Sequence, residues 1–139
     1  MLESNSRIVR FFQNIKYWFL HRTFKRFDIV KLKTLKPGYH DIDTRMLHAC
    51  FNLLTQYVEC EKPFDFIEWD HDEVHRHVAS EIKYLYHWWK EVYPNRYKTE
   101  ASILKDHEYK RWMEWENVCE EEDKQNLIRL MEIRPYLWT

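Results

Sequence analysis

Apolar residues recur at three- and four-residue spacing along most of the chain, and that period predicts helices. Residues 7–27, RIVRFFQNIKYWFLHRTFKRF, place Ile8, Phe11, Phe12, Ile15 and Phe19 at helical spacing with basic residues between them, predicting a helix to about residue 22. Residues 28–39, DIVKLKTLKPGY, alternate Ile29, Lys31 and Lys33 with Val30 and Leu32. A lone strand finds no pairing partner elsewhere, so the alternation predicts an extended connector that ends in the Pro37-Gly38 turn. Residues 43–61 carry Leu47, Cys50, Phe51, Leu54, Tyr57 and Val58 on one helical face and Arg45, His48, Asn52, Gln56 and Glu59 on the other. Asp43 suits the N-cap of that helix and Pro63 follows its end. Residues 72–92 predict another helix, capped by Asp70 or Asp72 and stopped by Pro94. Its core stripe is Val74, Val78, Ile82, Leu85, Trp89 and Val92, while His77, Glu81, Tyr84 and Trp88 fall on a different, more polar face. From about Thr99 to Arg134 the pattern is helical again, with Leu104, Trp112, Trp115 and Cys119. The acidic run at 120–123 suits the start of a separate last helix holding Leu127, Ile128, Leu130, Met131 and Ile133, because carboxylates favour the positive end of the helix dipole. The expected fold is all-α: a compact bundle of four or five helices with an extended connector near residues 28–40. It is read as a single domain over 1–139, with 1–27 a basic aromatic N-terminal helix and 28–139 the core.

Composition narrows this further. One glycine in 139 residues excludes glycine-rich phosphate loops and hairpin-dense barrels. Aromatic residues at 17 % and charged residues at 32 % describe a chain that folds rather than one that stays disordered. The net charge of −1 hides an asymmetry. Residues 1–36 hold nine Lys and Arg against Glu3 and Asp28, and the remainder holds 13 basic against 21 acidic residues. The basic segment therefore suits either the acidic body of the chain, in the same or a second copy, or an external polyanion such as a nucleic acid or a membrane surface. Three widely spaced cysteines, Cys50, Cys60 and Cys119, with no C-x-x-C, argue against a disulfide framework and for a reducing, cytoplasmic compartment. No stretch is long and apolar enough to span a bilayer, and the first residues lack the apolar run of a secretory signal.

Four stretches carry a resemblance: PGYHDIDTRMLHACFNLLTQYVECEKP at 37–63, WDHDEVH at 69–75, YLYHWWKEVYPNR at 84–96 and LIRLMEIRPYLWT at 127–139. Over about residues 28–139 the chain resembles a group of small proteins encoded by tailed bacteriophages. The resemblance implies an accessory protein of the host cell cytosol. It transfers no catalytic or binding residue.

Three sets of residues carry candidate chemistry. Tyr84, Trp88, Tyr93, Arg96, Arg129, Arg134 and Trp138 combine flat rings with guanidinium forks, the mixture that a nucleotide-like anion needs for stacking and for phosphate contacts. Trp88 on a polar face also suits packing against a second copy, so a homo-oligomer is expected. His40, Asp43, His71, Asp72 and His75 offer imidazole and carboxylate donors, with His71 and His75 one helical turn apart, and suit a metal-dependent phosphohydrolase of HD-like chemistry. No H-E-x-x-H or E-x-x-H pair accompanies them. The third set is the basic, aromatic N-terminal segment, which suits a partner protein or, less directly, a single-stranded nucleic acid. There is no G-x-S-x-G elbow and no cysteine with an evident histidine partner. The expectation is a non-catalytic binding protein, needing no cofactor, that sequesters a small nucleotide-derived anion and so counters host defence signalling. The alternatives are the phosphohydrolase and an assembly factor acting through the N-terminal helix.

Overall fold

A computed structural model describes the backbone of residues 2–23 and 30–138, and the side chains of residues 9–19 and 30–138. Helices dominate, and no strand occurs among the described residues. The chain divides into two compact units, residues 1–31 and 32–139. The first holds helix α1, Leu2–Thr23, whose Phe11, Phe12 and Ile15 are exposed. Phe24 and Phe27, expected to extend its aromatic character, lie outside the described residues. No described helix is long and apolar enough to cross a membrane.

The second unit contains the other helices: α2 (Ile42–Gln56), the single turn α3 (Pro63–Phe66), α4 (Glu73–His87), α5 (Arg96–Lys105) and α6 (Tyr109–Ile133). The all-α bundle follows from the periodicity, and residues 30–41 form the expected non-helical connector. The caps differ in part. Asp72 caps α4 by accepting the His75 backbone N–H at 2.8 Å. The N-cap of α2 is Asp41 rather than Asp43, and its side chain makes no capping bond. The acidic run at 120–123 starts no new helix. It lies inside the continuous 25-residue α6, because Glu122 and Asp123 meet Arg96 of α5. The real break is at residues 106–108, where His107 takes a left-handed φ of 57°.

Two wide π-turns extend helices, Tyr57–Glu61 after α2 and Trp88–Val92 after α4. The second one carries two core indoles. Successive side chains of a helix splay by about 100°, so Trp88 and Trp89 fall on either side of the buried Leu85 row. In the wider turn both indoles lie with their ring centres 5.0 Å from the Phe51 ring, and both are buried. The expectation of an outward Trp88 is therefore corrected, and this indole needs no second copy to cover it. Val74 and Val92, expected in the core stripe, are exposed, whereas Val78, Ile82 and Leu85 are buried as the period requires. Leu47, Phe51, Leu54, Leu130 and Ile133 complete the core from α2 and α6.

Helix α6 runs antiparallel to α4. His75 lies beside Tyr136, and Glu81 pairs with Arg129. Further along, Arg96 just beyond α4 reaches Glu122 and Asp123. This arrangement brings the C-terminal residues back to the start of α4 and leaves α5 folded against the first half of α6.

Candidate functional site

The seven ring and guanidinium residues do not converge on one site. Trp88 is core, with 2 % of its surface exposed. Arg129 donates to both oxygens of Glu81, at 2.7 and 2.8 Å, and lies 3.9 Å over the Tyr84 ring. That pair closes the α4–α6 seam and lines no cavity described here. Arg134 borders an apolar cavity of about 320 Å³ with Leu54, Tyr57 and Leu130. Trp138 borders a different cavity, of about 670 Å³, with His71, His75, Phe66, Glu61 and Glu68. Only Tyr93 and Arg96 share a cleft. The antiparallel α4–α6 pairing separates the others, because residues 129–138 return alongside the first half of α4 while Tyr93 and Arg96 lie beyond its far end.

The Tyr93–Arg96 cleft, of about 400 Å³, is lined by His48, Tyr93, Pro94, Arg96, Tyr97, Glu100, Trp112, Trp115, Glu116 and Cys119. Local sequence builds each wall. Pro94 sits in the short 3₁₀ turn Tyr93–Asn95 that redirects the chain from α4 into α5, swinging Tyr93, Arg96 and Tyr97 to one side. On α6, Trp112, Trp115, Glu116 and Cys119 follow the 3-1-3 spacing of one helical face. The Trp112 indole N–H donates to Glu100 at 3.3 Å and ties α6 to α5.

At the back of the cleft, a chain of polar groups runs from the connector into the bundle. Asn52 donates to the Thr34 hydroxyl at 2.6 Å, which lies 2.6 Å from His48 Nδ1, and His48 Nε2 lies 3.1 Å from the Tyr93 hydroxyl. Burial lowers the His48 pKa, helped by the charge of His40, so this imidazole is neutral at neutral pH. Burial also raises Cys119 and Tyr93, which stay a thiol and a phenol. The Cys119 side chain is thus no thiolate nucleophile.

The charge of the cleft overturns one expectation. The Arg96 guanidinium was expected to be available to an anion. It is held by Glu122 and Asp123 instead, over the rings of Tyr93 and Trp88 at 5.0 and 5.2 Å. Burial works against its charge, but hydrogen bonds to the two carboxylates raise its pKa overall. Asp123 is raised by its own burial against the pull of Arg96. With Glu100 and Glu116 also in the lining, the surroundings disfavour an anion and favour a neutral or cationic flat guest. Trp112, Trp115, Glu100 and Glu116 were not singled out as binding residues by sequence. An aromatic pair three residues apart beside carboxylates on one helix face was the available signal.

The five metal-type residues also separate. His40 Nε2 lies 2.8 Å from the Lys36 carbonyl, and Asp43 is exposed in the first turn of α2. The start of α2 meets the far end of α4, where His48 touches Trp89. The start of α4 is roughly 20 Å away along its axis, at 1.5 Å per residue. His71, Asp72 and His75 do gather there, one ligand atom of each lying within 4.8 Å of the others. Asp72 is held below the ordinary carboxylate range, first by the backbone N–H of His75 and then by its ring.

No family model, curated protein or solved structure matches the chain.

Proposed function

We propose that the chain is a small helical binding protein whose α5–α6 cleft takes the flat ring of a nucleotide-derived ligand. The observation that supports this is the set of four aromatic side chains, Tyr93, Tyr97, Trp112 and Trp115, lining one 400 Å³ cleft together with Glu100 and Glu116. Stacking of a base on an aromatic side chain contributes about 1–3 kcal/mol and accepts any base. The carboxylates add selectivity for rings with amino or cationic edges, since they accept but do not donate. Phosphates of such a ligand lie outside the cleft, because Arg96 is already engaged. Burial keeps the Cys119 side chain a thiol, which supports holding the guest over attacking it. The resemblance to small phage proteins supports a sequestering role against a host signal, in which the protein acts stoichiometrically.

Calorimetry together with tryptophan fluorescence tests this, using nucleosides, linear nucleotides and cyclic nucleotides in parallel. A nucleoside is expected to bind about as well as its nucleotide, and Trp115→Ala to weaken binding by about 1–3 kcal/mol. A ligand that needs its phosphates would restore the anion reading. Silence across the panel, with protein well above micromolar, ends the proposal.

A further inference from the structure

We propose that His71, Asp72 and His75 form a site for one d-block dication of the Zn²⁺ class, open to the 670 Å³ cavity beside them. The placement of the donor atoms supports this. His71 Nδ1 lies 2.7 Å from the Glu68 carbonyl oxygen, which only accepts, so Nδ1 carries a proton. In the neutral ring, Nε2 then presents a lone pair. That lone pair faces Asp72 Oδ2 at 2.9 Å, and the same oxygen lies 2.8 Å from His75 Nδ1. Nε2 of His71 and Nδ1 of His75 thus converge on one carboxylate oxygen, the arrangement in which two imidazoles and a carboxylate can share a metal ion.

The surroundings match the metal. A ligating histidine ordinarily donates its other ring N–H to a carbonyl or carboxylate, which fixes ring and tautomer, and Glu68 supplies that carbonyl. The Asp72 carboxylate is oriented by its capping bond from the His75 backbone N–H to Oδ1. The His75 ring is braced by Trp69 and Tyr136. The two imidazoles touch, with ring centres 4.0 Å apart. Zinc bonds of about 2.0–2.1 Å place tetrahedral donors roughly 3.4 Å apart. The two nitrogens therefore move away from Asp72 Oδ2 by only about 0.5 Å to admit the ion. Two imidazoles and one carboxylate select a d-block ion over Ca²⁺ or Mg²⁺, which prefer all-oxygen shells. Three protein ligands leave a fourth position, and His71 and His75 also line the cavity that holds Trp138.

The test uses the full chain, stripped of metal, titrated with Co²⁺ and then Zn²⁺. One Co²⁺ per chain is expected, with visible bands of nitrogen ligation and, among the histidines, paramagnetic broadening strongest at the rings of His71 and His75. Zn²⁺ should displace it. His71→Gln and His75→Gln should each weaken binding at least tenfold, and His40→Gln should leave it unchanged. Asp72→Asn keeps a capping side chain while removing the charge, and is expected to weaken binding as well. The broadening readout needs no substitution, so unstable variants do not obscure the result. Absence of stoichiometric binding overturns the proposal, as does broadening at His77, His87 or His107 in place of the pair.

Discussion

Replacing Arg96 by methionine removes a guanidinium from between two carboxylates while keeping most of its apolar stem. The arginine side chain is 13 % exposed, Asp123 27 % and Glu122 39 %. Breaking a fully buried ion pair by deleting one partner costs about 3–5 kcal/mol, because the remaining charge is stranded. Here Glu122 can turn towards water, and Asp123, already raised by burial, can take up a proton. Those escapes reduce the expected loss to about 2–3 kcal/mol, including the lost contacts over Tyr93 and Trp88 at roughly 0.5–1 kcal/mol each. With a urea slope of about 1.5 kcal/mol per molar, the unfolding midpoint should fall by roughly 1–2 M. Neutralising the stranded acids should repair it. The triple variant Arg96→Met, Glu122→Gln, Asp123→Asn is expected to recover at least half of the loss. A loss below about 0.5 kcal/mol, the scale of an exposed pair, would refute the reasoning, as would a triple variant no better than the single one.

Trp88→Ala should cost about 3–5 kcal/mol in chemical denaturation, whereas Trp138→Ala, at an exposed residue, should stay within about 0.5 kcal/mol; equal costs would contradict the burial of Trp88. Lys62 has a left-handed φ of 49° just past the π-turn that ends at Glu61, so Lys62→Gly should raise stability by about 0.5–1 kcal/mol, read from the same melts. The hydrogen bonds from Arg129 hold Glu81 below its ordinary pKa of 4.5, with burial opposing. A depressed carboxylate stabilises the fold above its unfolded pKa and loses that contribution as pH falls through its folded value. The stability gap between the parent chain and Glu81→Gln should therefore be largest at neutral pH and close in acid; a gap that widens on acidification would show the pairing to be misread.

Helix positions were legible because burial on one side imposes a 3.6-residue period on any amphipathic helix. Leu47, Phe51, Leu54, Val78, Ile82, Leu85, Leu130 and Ile133 follow it and are buried. The period holds no information on which helix meets which, and that pairing decided the candidate sites. Trp88 looked outward because Glu81 and Tyr84 share its face, yet both indoles pack onto Phe51 of α2, a contact between distant helices. The acids at 120–123 looked like a helix start because carboxylates favour one, yet they lie mid-helix opposite Arg96. The Tyr93 cleft depends on α5 folding back over Trp112 and Trp115, a contact between residues separated by a turn at His107. The sequence by itself determined the all-α class, the main core positions and the local grouping of His71, Asp72 and His75, since these arise from neighbours within one or two helical turns. The tertiary structure alone decided which arginines remain available, because a guanidinium takes whichever carboxylate the packing of distant helices delivers to it.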